Sequence, residues 1–195
     1  SSATFDSPDH HQHFVYLHSR LAAAYRPSSS DGSAGVGDKT GLLTQLAAEV
    51  MNERVAQVEA ARIAAGADPM DQLKACGMAH IDFLISHPRL EGLCWRNTLI
   101  NHADPALQDA LARMTANLIE SMSAVTGKAL SPDKEENSST LLAIAVVHGF
   151  AQMVNERIIL RDVPDHERPL RAHAMARDVL DLLSMAFDSK GRPDT

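Results

Sequence analysis

From Asp38 onward the chain is written in a single period. Apolar residues return every three or four positions, and caps, prolines and glycines cut the pattern into segments. Two segments open on the same dipeptide, Asp68-Pro69 and Asp104-Pro105. An aspartate there accepts from the orphan N–H groups of a helix start, and proline is tolerated in the first turn because its missing N–H is not needed. Two segments stop at glycine, Gly66 and Gly127, the residue best suited to the left-handed position after a helix. No stretch alternates with the period of a strand. The spacing predicts helices over 38–65, 67–87, 88–101, 103–127, 137–160 and 170–187, joined by short connections. The expected fold is all-α, a multi-helix bundle.

The apolar stripes assign the core. In 38–65 the stripe is Leu43, Leu46, Val50, Val55 and Val58, with Asp38 as the N-cap. In 67–87 it is Leu73, Cys76, Gly77, His80, Ile81 and Leu84. In 103–127 it is Leu107, Leu111, Met114, Leu118, Met122 and Val125. The most apolar segment, 137–160, carries His148 and Gly149 side by side in its middle. Glycine costs about 1 kcal/mol against alanine in a helix interior. Close approach of another helix, allowed by the missing side chain, would offset that cost.

Residues 1–37 read differently. They are polar and rich in His, Ser and Gly, with one short helical pattern over 14–26 and a linker over 27–37. The body is expected at 38–188, and 189–195 is expected to be a disordered tail.

Composition narrows the chemistry. The net charge of −7 argues against a broad nucleic-acid footprint. Aromatic residues are scarce at 4%, and eight methionines offer adaptable apolar packing in their place. The apolar runs fall short of a bilayer span and no leader-type segment opens the chain, so a cytoplasmic protein without membrane contact is expected. Cys76 and Cys94 fall in helical patterns and read as reduced thiols.

Catalytic and metal signatures are missing. The "HHQH" run at 10–13 lies in a polar end, and no HExxH, Glu-x-x-His or Cys-x-x-Cys spacing occurs. The "SDGSAGVGDKT" stretch fails the phosphate-loop spacing, because Asp38 stands where lysine is required. No nucleophile elbow is present. No metal, no cofactor and no enzymatic activity are expected.

Four segments, in order, resemble those of tetracycline-repressor-like (TetR-like) bacterial transcriptional regulators. "GDKTGLLTQLAAEV" is similar to the start of their long connecting helix. "DPMDQLKACGMAHIDFLISHPRLEGLCW" resembles the next segment, with its "F-x-x-x-HP-x-L-x-x-L" ending. "DPALQDALARM" and "LLAIAVVHGFAQMVNERI" resemble two later helices. The likeness covers about residues 37–187.

The resemblance implies a homodimeric body that senses a small apolar or aromatic effector and represses transcription. It implies a pocket near residues 50–58, 76–84, 94–99 and 111–122. Its nominees from the earlier helices are Met51, Val55, Cys76, His80, Phe83, Leu84, Trp95 and Leu99. Those from the later helices are Leu111, Met114, Leu118, Met122, His148 and Gln152. It implies that the last two helices pair with a second subunit as a four-helix interface. The nominees there are Ile144, Val147, Gly149, Ala151, Asn155, Ile158, His173, Val179, Leu180, Leu183 and Phe187.

A DNA operator enters only by analogy with the family. The basic helix-turn-helix module that the family carries first is not recognisable in 1–37, and it reads as absent or degenerate. Two other readings stay open: a helical ligand-binding, dimerising protein without a DNA role, and an α-helical enzyme using His80 and His148.

Overall fold

The computed structural model describes residues 39–88, 99–133 and 137–188. These residues form five helices: α1 (Lys39–Ala64), α2 (Pro69–Ser86), α3 (Pro105–Thr126), α4 (Ser138–Asn155) and α5 (Arg168–Asp188). There is no strand among the described residues. The all-α expectation holds, and four of the predicted segments match observed helices closely. The cap expected at Asp38, the short helix over 14–26, the linker over 27–37, nearly all of the 88–101 helix and the tail lie outside the described residues.

The predicted punctuation does what its chemistry requires. Asp68 Oδ1 accepts from the N–H groups of Met70 (2.8 Å) and Asp71 (3.0 Å). Asp104 Oδ1 does the same for Ala106 and Leu107, both at 3.0 Å. Each such cap stabilises its helix by about 1 kcal/mol. Gly66 and Gly127 take positive φ angles of 87° and 64° after α1 and α3.

One boundary differs. The helix expected over 137–160 ends at Asn155. Arg157 turns left-handed at φ 56°, and the Ile158 N–H bonds back to the Met153 carbonyl at 2.9 Å. The Arg157 N–H bonds to the Val154 carbonyl at 3.1 Å. This is the Schellman arrangement with arginine at the position usually held by glycine. Apolar periodicity continues past it through Ile158 and Ile159, so the sequence pattern hides the stop.

The centre of the bundle is α2, which packs against all four other helices. Contacts 54–80 and 58–76 run α1 antiparallel to α2. Three contacts likewise run α5 antiparallel to α2: His173 Nδ1 with Asp82 Oδ1 (3.2 Å), Gly77 against Leu180, and Lys74 Nζ with Asp181 Oδ1 (3.3 Å). At the end of α4, the Asn155 amide donates to the Leu84 carbonyl at 3.1 Å.

Three apolar clusters fill the interior. One joins α1, α2 and α3 around Ala47, Met51, Phe83 and Leu107. A second joins α2, α4 and α5 around Ile81, Leu84, Phe150 and Leu180. The third gathers Leu73, Met122, Ala143 and Phe187.

The helix α4 has two unlike faces. Its inner stripe is Thr140, Ala143, Val147, Phe150, Ala151 and Val154, all buried. Its outer stripe exposes Leu141, Leu142 and Met153. By length and composition this helix is also long and apolar enough to cross a membrane, contrary to the sequence expectation of no such segment.

Candidate functional site

The cavity lies between α2, α3, α4 and α5, with Val58 of α1 at one side. Its empty space is about 740 Å³, counting the open mouth. The walls are aliphatic: Leu73, Leu118, Ile144, Val147, Leu180 and Leu183, with Met114 among them. Polar lining comes from Lys74, Cys76, His80, Asn117, Ser121, His148 and Ser184.

The helical spacing explains this wall. Leu73, Gly77 and His80 lie on one face of α2, at successive steps of three and four residues. On α4, Val147 and His148 lie three and four residues after Ile144, which also places them on one face. Gly77 brings the α5 side chain in close, since a Cβ at this position would stand 2.8 Å from Leu180 Cδ2.

A polar cluster backs the cavity. Arg54 of α1 is only 3% exposed. Its Nη2 lies 3.5 Å from His80 Nδ1 and 3.3 Å from His148 Nε2. The two imidazoles meet edge to face with centroids 5.1 Å apart. Arginine is always a donor. Both facing ring nitrogens therefore accept, which puts the proton of neutral His80 on Nε2. Burial, then the Arg54 charge, then His148 hold the His80 pKa well below its ordinary value.

The remaining titratable lining is quieter. Burial pushes the Cys76 thiol up, and its Sγ sits 3.9 Å from the Val58 carbonyl. This is the reverse of an activated thiolate. At the rim, the hydrogen bond to Asp181 raises the Lys74 pKa. No group of three or more metal-ligating side chains occurs among the described residues.

The structure sorts the sequence nominees. Cys76, His80, Met114, Leu118 and His148 line the cavity. Met51 and Phe83 are buried in the first cluster, where Leu99 and Leu111 pack against them. Val55 is fully buried, Leu84 belongs to the second cluster and Met122 to the third. Gln152 is exposed and bonds Glu156 at 2.9 Å. Trp95 lies outside the described residues.

Of the nominated interface residues, Ile144, Val147, Leu180 and Leu183 line the same cavity. Ala151 and Phe187 are buried within the single chain, and Val179 packs against the second cluster. Asn155 and His173 are engaged with α2. Ile158 is exposed and Gly149 lies on the outer side of α4.

Sequence reasoning missed Arg54. Its signal was present, because Arg54 lies four residues after Val50 and four before Val58, on the apolar stripe itself. A cation on a buried stripe is rare enough to mark a built site.

Comparison with protein families, with curated proteins and with solved structures found no match for this chain.

Proposed function

We propose that this chain is the ligand-sensing, dimerising body of a TetR-like transcriptional repressor. The observation that carries the reading is the mainly apolar cavity lying directly behind a helix whose other face is apolar and exposed. A ligand entering between α2 and α4 presses on the inner stripe of α4, while a second subunit would rest on the outer stripe. Occupancy and subunit geometry are thereby joined through a single helix, which is the economy a ligand-controlled dimer requires.

The dimer surface in this reading shifts from most of the residues nominated by sequence to their exposed neighbours. Leu141, Leu142 and Met153 of α4 join Met175, Leu182 and Met185 of α5. Leu182 and Met185 are 67% and 66% exposed, a large apolar display for two residues one turn apart. Gly149 lies among the α4 residues, with nothing described within 4 Å of a Cβ built on it. The operator-binding role rests on the family resemblance.

The test is the mass in solution. Light scattering at micromolar concentration is expected to give twice the chain mass, and a strict monomer would remove the dimer. The outer face of α4 could instead meet lipid. Flotation with neutral and with anionic vesicles separates the two outcomes, and the proposed dimer stays with the protein fraction. A thermal-shift screen completes the test: stabilisation by apolar ligands supports the sensing role, and stabilisation by highly charged ligands alone contradicts it.

A further inference from the structure

We infer that the cavity selects an apolar tail carrying one carboxylate, and that His80 Nε2–H is the group that holds this head. The inference rests on the ligand-sensing reading above and adds the chemical class.

The argument starts from the two hydrogen bonds of Arg54. A guanidinium nitrogen can only donate, so His80 Nδ1 must accept and its ring proton is fixed on Nε2. That Nε2 is inaccessible to solvent and makes no hydrogen bond within the described protein. A buried N–H donor without an acceptor is costly, and its presence in a folded protein calls for a partner. His80 is part of the cavity wall. The partner it calls for is an acceptor, delivered by a ligand that fills the cavity and shifts its wall enough to uncover Nε2.

Charge decides between a neutral and an anionic acceptor. The described lining holds Lys74, two histidines and no carboxylate. Behind the histidines stands the Arg54 cation, joined to His80 through the opposite nitrogen of the ring. An imidazole polarised by a cation on one nitrogen is a better donor from the other. A carboxylate at Nε2 gains a charge-assisted hydrogen bond and the field of Arg54, whereas an ammonium head meets a donor and a like charge. The aliphatic wall of Leu118, Ile144, Val147 and Leu183 suits an apolar tail.

The other groups around His80 fit this reading. His148 is turned to Arg54 through its Nε2. Asn117, Ser121 and Ser184 are neutral, and Cys76 is held as a thiol. No lining group competes with a carboxylate for His80.

The experiment compares heads on one tail. Octanoate, methyl octanoate, octanol and octylamine are titrated into the full chain by calorimetry at pH 7.5. Octanoate is expected to bind at least about tenfold more tightly than octanol or the ester, and octylamine to bind most weakly. His80→Phe keeps a planar ring and removes the donor. It is expected to abolish the preference for octanoate while octanol binding persists. His80→Gln can accept from Arg54 and still donate, so it should restore most of the preference. If octanol and octanoate bind equally to the unaltered chain, the carboxylate inference fails and the sensing role survives. If none of the four binds, both fail together. The comparison of heads needs no variant, so a poorly folded His80→Phe protein would not protect the inference.

Discussion

Two glycines sit in the middle of helices, and their surroundings are opposite. A Cβ on Gly77 of α2 would meet Leu180 at 2.8 Å, whereas one on Gly149 of α4 would meet nothing described within 4 Å. Each costs its helix about 1 kcal/mol against alanine. At Gly77 the offset is visible inside the protomer, because α5 approaches closely and Leu180 fills the space. At Gly149 nothing described in the protomer supplies an offset. The contrast separates a glycine that builds the cavity from one whose reason lies in the association we propose.

The largest expected effect is at the inner glycine. Gly77→Val places branched carbons against Leu180 inside a packed contact. It should lower stability by about 1–3 kcal/mol in urea unfolding, as overpacking does. Pairing it with Leu180→Ala should recover part of the loss, since both act on one contact. Equal and additive losses would remove the close-approach account of Gly77.

The next effect concerns His80, on the same face of α2. Its folded pKa is depressed, and its unfolded value is about 6.5. Above that pH both states carry a neutral ring, so no differential exists. As pH falls below about 6.5 the unfolded chain gains a proton that the folded site refuses, and stability declines. The slope from this one group approaches about 1.4 kcal/mol per pH unit until the folded ring also protonates. In His80→Gln the difference from the unaltered chain should be constant between pH 7 and 8 and move in favour of the variant below pH 6. A difference that stays constant from pH 8 down to pH 5 would mean that His80 titrates normally.

Much of the helical frame is legible in the residues, because caps and stops are local chemistry. Asp68, Asp104, Gly66 and Gly127 each act within one turn, and the sequence displays the whole turn. The end of α4 is not legible, since Arg157 is a poor left-handed residue and the apolar pattern runs on to Ile159. The cavity is only half legible. A stripe shows that His80 and His148 face inward, but period alone cannot separate a residue lining a void from one packed solidly, such as Val55 or Leu84. Which of two adjacent stripes on α4 turns inward is likewise decided by tertiary packing. Val147 and Ala151 go in, while Leu142 and Met153 stay out. Arg54 is legible only in part: a long cationic side chain on an apolar stripe can reach the solvated edge, and its burial is decided by His80 and His148 on other helices.

The outer glycine gives a smaller effect with two signs. Gly149→Ala should raise the stability of the isolated protomer by about 1 kcal/mol, measured by urea unfolding at concentrations too low for association. The same change should weaken the dimer in sedimentation, because the added methyl group stands where the partner helix approaches. A gain in stability with unchanged association would place Gly149 outside the interface.

The smallest effect on the protomer should be at Leu182, on the exposed side of α5. Its side chain is largely in water, so Leu182→Lys removes almost no buried area from the single chain. Unfolding of the dilute protein should change by no more than about 0.5 kcal/mol, as for ordinary surface positions. In a two-fold dimer the same residue is used by both subunits, so one substitution brings two charges into an apolar contact. Burial of each charge without a partner is costly, and association should fall by far more than stability does. Sedimentation velocity across a concentration series measures the first quantity and dilute unfolding the second. A variant that dimerises as well as the unaltered chain would move the interface away from α5. A variant that loses stability instead would mean that Leu182 packs within its own protomer. The outcome also calibrates Gly149, since both residues must fail in association together if α4 and α5 meet the partner as one surface.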